Sequence, residues 1–122
     1  MFMTIWKRSL KKQFMNSKSR DKVLSLLGLA ARGRNLVSGE FSTEKAVKTG
    51  HAYLVIVSEE ASNNTNKMFT NMTDFYEVPM YVFGTKEELG RCIGKEFRAS
   101  LAITDENLAN AVEKKLQACK TE

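Results

Sequence analysis

Two stretches of the sequence combine glycine with arginine and lysine where helices are predicted to begin or end. In the first, RGRNLVSGE (residues 32–40), Arg32 and Arg34 come shortly before Gly39 and a predicted helix that contains Lys45. A helix N-terminus offers free backbone N–H groups and partial positive charge, and glycine lets a ligand approach closely. This combination favours contact with phosphate, and the stretch contains no evident catalytic group.

The second stretch, LGRCIGKEFR (residues 89–98), has two glycines, three basic residues and an aromatic ring in a predicted loop. Arg91, Lys95 and Arg98 are suited to phosphate contacts, and Phe97 is suited to an unstacked RNA base. The two stretches together are typical of an RNA-binding surface. A pair of ordinary turns explains the same residues equally well, so both interpretations stay open at this point.

Catalytic and cofactor signatures are absent from the sequence. It has neither the G-x-x-x-x-G-K-[ST] phosphate loop nor the G-x-G-x-x-G dinucleotide pattern. Cys92, Cys119 and the single histidine, His51, have no metal-ligand spacing, and no nucleophile has an evident context. Glu59 and Glu60 follow a predicted strand, where two solvated loop carboxylates are favoured over a functional pair. We therefore expect no catalytic residue, no metal, no cofactor and no enzyme activity.

Composition predicts a globular chain whose basic residues are unevenly distributed. The 122 residues are 43% apolar and 27% charged, which fits one domain. Residues 1–20 hold six basic residues and no acid, whereas the other 102 hold 13 basic and 14 acidic residues. A body of charge −1 binds a polyanion only through a local patch. Because no run suits a membrane span or a signal peptide, we expect a cytoplasmic protein without membrane contact.

The elements that must position these stretches alternate between helices and strands. Apolar residues at helical spacing, β-favouring runs and turn residues give the pattern. The predicted helices cover residues 20–31, 39–49, 62–76, a segment from 85, and 105 to about 118. The predicted strands cover residues 35–37, 53–57, 80–83 and 100–104. Strands separated by helices of this length predict an α/β layered sandwich.

Local signals predict the ends and the inward face of several helices. TKEE (85–88) is a capping box, Ser62 and Thr104 are candidate N-caps, and Gly33 and Gly50 suit helix C-termini. In the third helix, the spacing predicts four inward-facing side chains, which are Met68, Met72, Phe75 and Tyr76.

Four motifs in order make the sequence resemble the ribosomal protein L7Ae/L30e family, and most of all its small bacterial YlxQ-like members. The motifs are LLGLAARGRNLVSGE, EKAVKTGHAYLVIVSEEAS, VPMYVFGTKEELGRCIG and LAITD. The resemblance covers about residues 20–112 and implies a three-layer α/β/α sandwich with a four-stranded mixed sheet. It also implies RNA binding, since the better-known members bind RNA kink-turns through the start of the second helix and the loop before the last strand.

The family's binding residues carry over to named positions of this chain. The glycine before the second helix matches Gly39, the lysine within that helix matches Lys45, and the loop over the RNA matches about residues 95–99. The Leu-Gly-x-x-x-Gly element matches Leu89, Gly90 and Gly94. The expected RNA-binding residues from the stretches and the resemblance together are Arg32, Arg34, Gly39, Glu40, Phe41, Ser42, Lys45, Leu89, Gly90, Arg91, Gly94, Lys95, Phe97 and Arg98.

One departure from the family pattern affects specificity. Kink-turn binders of this kind carry Asn-Glu, which reads sheared G·A pairs, where this chain has Phe41 and Ser42. Phe41 has no group that hydrogen-bonds a base edge, and Ser42 is shorter than glutamate and uncharged. We therefore expect RNA binding at this face without the usual basis for kink-turn recognition.

The N-terminal segment has its own pattern. We expect the domain over residues 20–122 and a basic extension over residues 1–19. Trp6, Leu10 and Phe14 are four residues apart among basic residues, which fits an amphipathic helix facing RNA or an acidic surface. An unstructured tail fits as well, and so does a translation start at Met15.

The functional hypotheses belong to different classes. The first is a non-enzymatic RNA-binding protein whose partner is a structured, ribosomal or other cellular RNA. The alternative is a protein-interaction module of the translation or transcription machinery with reduced RNA readout, with ribosome or transcription-machinery proteins as partners. A third hypothesis is an RNA-substrate-binding domain that works with a methyltransferase domain. This sequence contains no methyltransferase domain.

Overall fold

The computed structural model describes residues 17–121, and the side chains of residues 19–118. The hypotheses on the first 16 residues and on the Cys119 thiol therefore lie outside the described part. The helices are α1 (Ser17–Arg32), α2 (Glu40–Lys48), α3 (Asn63–Tyr76), α4 (Lys86–Cys92) and α5 (Glu106–Thr121). The strands are β1 (Leu36–Ser38), β2 (Leu54–Val57), β3 (Met80–Val82) and β4 (Ser100–Ile103).

The four strands form one mixed sheet in the order β1-β4-β2-β3. The central strand β4 is antiparallel to both of its neighbours, whereas β2 and β3 are parallel. At the sheet edge, Leu36 pairs with Ile103 and Ser38 pairs with Leu101. The predicted four-stranded mixed sheet is thus confirmed, and it places the start of α2 next to the beginning of β4.

Helices cover both faces of the sheet, and each face has its own apolar core. Leu54 and Ile56 of β2 point into the core that contains residues of α1, α4 and α5. Val55 and Val57 point into the core that contains residues of α2 and α3. Side chains alternate along a strand, so a continuous apolar run is required where both faces are covered. The predicted three-layer α/β/α sandwich is confirmed.

The N-termini of the helices confirm two of the predicted caps and correct a third. Ser62 accepts from the Thr65 N–H, and Thr85 with Glu88 forms the predicted capping box. Thr104 does not cap the last helix. The Asp105 carboxylate does so, accepting from the Leu108 N–H at 2.9 Å. A carboxylate at this position also offsets the partial positive charge of the helix N-terminus.

The inward face of α3 differs from the prediction. Phe69 and Thr73 are its buried residues, and Met68 and Met72 pack against the same core while partly exposed. The prediction for Phe75 and Tyr76 was wrong, because both are exposed and their rings pack edge-to-face at 4.9 Å. Each residue turns a helix by about 100°, so a face that carries 69 and 73 points 75 away from the core.

Helices α1 to α4 end in the same hydrogen-bonded motif. In each, the residue that follows a left-handed residue donates its backbone N–H to the carbonyl five residues earlier, in the last turn of the helix. At the end of α1, the Asn35 N–H donates to the Ala30 carbonyl at 2.8 Å. The motif requires one left-handed residue, and Gly50 supplies it after α2 as predicted. The first helix ends at Arg32, directly before Gly33 as predicted, and the left-handed residue that follows is Arg34, with φ of 62°. The left-handed residues after α3 and α4 are Glu77 and Gly94.

Within the described part of the chain, no helix combines the length and the apolar character that crossing a bilayer requires.

Candidate nucleic-acid interface

The start of α2 and the loop before β4, which are the two predicted RNA-binding elements, meet at one end of the sandwich. The Gly39 N–H donates to the Ser100 carbonyl at 2.9 Å, which joins the start of α2 to the start of β4. The Arg98 Nε donates to the Ser38 Oγ at 3.0 Å, which joins the loop before β4 to the end of β1. We call this region the Gly39 end, defined by residues 38–45 and by the loop over residues 93–99.

The start of α2 is open to a ligand. Gly39 is the N-cap with φ of 91° and ψ of 156°, and no side chain caps the helix. The first N–H groups of a helix have no partner within it, so the amides after Gly39 are available to an anion. A Cβ atom at Gly39 would meet nothing within 4 Å, so no described residue covers this approach.

The shape of the 93–99 loop depends on a close contact with α4. A Cβ atom at Gly90 would lie 2.2 Å from the Glu96 carbonyl oxygen and 2.9 Å from the Phe97 nitrogen, so only glycine allows the loop to pack here. Gly94 has φ of 78°, and the Lys95 N–H donates to the Gly90 carbonyl at 2.8 Å. The Leu-Gly-x-x-x-Gly element therefore sets the path of the loop.

The predicted residues of this element divide into buried and exposed ones. Leu89 is fully buried in the core and Gly90 is buried as well, so both position the loop and neither reaches a ligand. Phe97 is 61% exposed and Lys95 is exposed. Arg91 is exposed too, but its guanidinium pairs with Glu87, which offsets part of its charge.

The start of α2 contributes a second exposed ring and a lysine. Phe41 is 77% exposed, and Lys45 lies four residues further along the helix. Residues at this spacing share one face of a helix. Ser42 is partly exposed, while Glu40 is exposed in the first turn. The surface at this end thus combines exposed aromatic rings and basic groups with three acids, which are Glu40, Glu44 and Glu96.

The two arginines of the first stretch lie further along the sheet edge. Arg34 precedes β1 at its other end, where the Asn35 carbonyl accepts from the Thr104 N–H at 2.8 Å. A strand of three residues spans about 10 Å, so Arg34 and Gly39 are separated by the length of β1. Arg32 lies near the end of α4. A Cβ atom built at Gly28 would be 3.8 Å from the Arg32 guanidinium and 2.9 Å from the Cys92 carbonyl, so both groups lie next to Gly28.

Four basic residues of the predicted set keep their charge available. Each is exposed, and none makes an ion pair with any residue that the structure describes; these are Arg32, Arg34, Lys45 and Lys95. Arg98 also makes no such pair, and its hydrogen bonds to Ser38 and to the Phe97 carbonyl hold the guanidinium in place. An anionic ligand therefore meets unneutralised positive charge.

His51 and Cys92, which lie outside the Gly39 end, have surroundings that do not suit catalysis or metal binding. The ring of His51 is exposed, and its Nδ1 lies 2.8 Å from the Thr49 hydroxyl. Burial raises the pKa of the Cys92 thiol to about 11, which keeps it protonated and unreactive at neutral pH. Among residues 17–121, no three His, Cys, Asp or Glu side chains come together as metal ligands would.

Sequence reasoning missed two supporting residues. Arg20, counted with the basic N-terminal segment, pairs with Glu88 and lies 3.9 Å from Glu59, so its charge stabilises the fold. The hydroxyl of Ser38 holds Arg98 although 60 residues separate them in the chain. No local pattern marks either residue, because both partners are distant in sequence.

Known proteins resemble this chain over most of the residues that the structure describes. The model of the Ribosomal protein L7Ae/L30e/S12e/Gadd45 family matches residues 21–113. A Bacillus subtilis (strain 168) relative, "RNA-binding protein YlxQ", is 45% identical over 85 residues, which are 70% of this chain and 85% of the relative. A protein of the same name from Enterococcus faecium is 35% identical over 95 residues, covering 78% of this chain and 91% of the relative.

Solved structures agree in fold. A Bacillus halodurans protein of unknown function superposes with a TM-score of 0.77 at 38% identity, covering 79% of this chain and 97% of its own. The Giardia lamblia 15.5kD RNA binding protein superposes with a TM-score of 0.74 at 22% identity, covering 93% and 97% of the two chains. The family match spans most of the described sandwich and includes both elements of the Gly39 end. The chain therefore belongs to the ribosomal protein L7Ae/L30e/S12e/Gadd45 family.

Proposed function

We propose that this chain is a non-enzymatic RNA-binding protein that contacts structured RNA through the Gly39 end. The observation that carries the proposal is the Arg98–Ser38 hydrogen bond of 3.0 Å, which joins the two predicted elements into one surface. Family membership supports the same function, as do the names of the two YlxQ relatives.

The chemistry of the surface suits a phosphate backbone that carries accessible bases. Lys45, Lys95 and Arg98 supply positive charge, and the amides at the start of α2 add neutral donors. Neutralising a phosphate releases condensed counterions, so a small number of basic groups gives useful affinity at low salt. The exposed rings of Phe41 and Phe97 supply the apolar area that bases need.

The RNA partner that we propose is a structured RNA, with ribosomal RNA as the first candidate, and the place of action is the cytoplasm. Phe41 and Ser42 lack the amide and the carboxylate of the kink-turn pattern, so this surface does not depend on kink-turn geometry. The protein-interaction alternative has the near-neutral body in its favour, but the names of the YlxQ relatives support RNA binding over it.

The decisive experiment is crosslinking of the full chain to RNA in its native host. Crosslinked peptides are identified by mass spectrometry, and the attached RNA is sequenced. We expect crosslinks in residues 38–45 and 93–99 on a small number of RNA species. Crosslinks confined to α5, or a yield no higher than that of an unrelated protein with the same charge, would contradict the proposal.

A further inference from the structure

Two exposed phenylalanine rings at the Gly39 end each lie close in the chain to a lysine with available charge. Phe41 and Lys45 are four residues apart on α2, which places their Cβ atoms about 5–6 Å apart on one face. Phe97 and Lys95 are two residues apart in the 93–99 loop, and both are exposed. Each pair thus places an exposed apolar ring and a positive charge near each other in the chain.

Folding does not explain why these rings are there. Phe41 is 77% exposed, and Phe97 is 61% exposed, so neither contributes its area to one of the two cores. A third exposed ring, Phe75, provides the contrast. It packs edge-to-face on Tyr76 and has no lysine or arginine within four positions in the chain. An adjacent acid does not distinguish the three rings, because Glu40 precedes Phe41 and Glu96 precedes Phe97.

We propose that Phe41 and Phe97 are base-stacking residues and that the site selects RNA with at least two unpaired nucleotides. This inference rests on the proposed function and names its ligand more narrowly. A phenyl ring has neither donor nor acceptor, so it does not read base edges. It stacks on the face of a base, and in a continuous duplex those faces are covered by the neighbouring base pairs.

Arg98 fixes the relation between the two stacking residues. It follows Phe97 directly, and its Nε is bonded to Ser38, three residues before Phe41. The Gly39–Ser100 hydrogen bond of 2.9 Å holds the same two elements a second time. The segments that carry the two rings are therefore joined before RNA binds, with the Arg98 guanidinium held beside the loop that carries Phe97.

The test compares two fluorescent RNA probes, a 12-nucleotide single strand without self-complementarity and the blunt duplex that it forms with its complement. Full-length protein is titrated with each probe at one salt concentration, and folding of every variant is checked by circular dichroism. We expect Phe41→Ala and Phe97→Ala each to weaken binding of the single strand by roughly 5- to 150-fold, with little effect on the duplex. Phe41→Tyr retains stacking and should bind as the natural chain does, whereas Phe41→Leu should behave like Phe41→Ala.

The matched control is Phe75→Ala, which removes an equally exposed ring that has no lysine or arginine within four positions in the chain, and it should change neither titration. A loss in Phe75→Ala equal to that in Phe41→Ala, or full affinity in both Phe41→Ala and Phe97→Ala, would overturn the stacking proposal. In the second case, a loss of both probes in Lys45→Ala would leave the RNA-binding function standing. If the natural chain binds neither probe, the stacking proposal fails, whereas the proposed binding of structured RNA is judged separately by the crosslinking experiment.

Discussion

Arg98 and Ser38 are hydrogen-bonded across 60 residues of sequence, and this contact sets where the only arginine of the 93–99 loop points. A guanidinium held by a neutral hydroxyl keeps its full charge for a ligand. The same contact in an ion pair, such as that of Arg91 with Glu87, would offset it.

We therefore expect Ser38→Ala to weaken RNA binding while the fold persists. Removing one partly exposed hydrogen bond costs about 0.5–1.5 kcal/mol of stability, and Arg98 loses its fixed direction. Titration of RNA and urea denaturation measure the two effects. Ser25→Ala is the control, since Ser25 is exposed on α1 and lies outside the Gly39 end. Equal RNA affinity in Ser38→Ala and the natural chain would show that the contact does not position Arg98.

Substitution of Gly90 should disturb both the fold and the site. An alanine methyl group would lie 2.2 Å from a backbone oxygen of the loop, so Gly90→Ala forces the loop away at a cost of about 1–3 kcal/mol or more. Gly94→Ala is the matched comparison, because its Cβ atom meets nothing within 4 Å and only the positive φ is strained. Thermal unfolding and RNA titration should show the larger loss in Gly90→Ala. The reverse order would contradict the packing described.

Arg34 and Glu77 are the two non-glycine residues with positive φ among the described residues, at 62° and 60°. Glycine at either position removes a left-handed strain of about 1–2 kcal/mol. Part of this gain is offset, because glycine loses more conformational entropy on folding than other residues. We expect Arg34→Gly and Glu77→Gly each to gain up to about 1 kcal/mol in urea denaturation. Only Arg34→Gly should weaken RNA binding, since it alone removes a basic group of the sheet edge. RNA binding that is unchanged in Arg34→Gly would exclude this arginine from the surface.

The salt dependence of RNA binding tests the phosphate contacts. Lys45→Ala and Arg98→Ala should each lower affinity and reduce the slope of log affinity against log salt by about 1. The control is the double variant Lys114→Ala with Lys115→Ala in α5, which packs on the opposite face of the sheet from α2. Titrations at three salt concentrations measure the slopes. If the control pair loses as much affinity as Lys45→Ala, the Gly39 end is not the binding surface.

Stability should fall at alkaline pH through two groups with raised pKa values. Burial raises the pKa of Tyr81 to about 12 from 10.0, and burial raises that of Cys92 to about 11 from 9.0. Both groups are protonated in folded and unfolded chains below pH 9, so their contribution is then complete. As pH rises further, the unfolded chain ionises first and stability is lost until the folded pKa is passed. Urea denaturation from pH 8 to 12 should show this fall, and Tyr81→Phe should make it shallower above pH 10.

Local patterns predicted the parts of the fold that local chemistry determines. The continuous apolar run LVIV, the capping box of Thr85 and Glu88 and the Ser62 cap all depend on residues within one element. The face of α3 was mispredicted because four apolar side chains fit two helical phases, and packing against the sheet selects the phase that buries Phe69. Arg34 was not predictable as a left-handed residue, because its conformation is imposed by the turn between α1 and β1 against its own preference.

The candidate site was predictable in its residues and not in its assembly. Glycines and basic groups indicated both elements, and the resemblance indicated their order. The burial of Leu89, the contact of Gly90 with the loop and the hold of Ser38 on Arg98 all arise between segments far apart in the chain. Such contacts exist only once the sheet has brought the segments together.

The strand order has a consequence for how this protein is made. Among the described strands, β4 is the last to be synthesised, yet it occupies the place between β1 and β2 and is the strand with which β1 pairs. Sixty-one residues lie between the end of β1 and the start of β4, so this pairing closes a long loop late. Until β4 has been synthesised, β1 of a nascent chain therefore lacks its pairing with β4, and Ser38 lacks its hydrogen bond with Arg98. The Gly39 end therefore assembles only after the chain has been synthesised beyond Arg98.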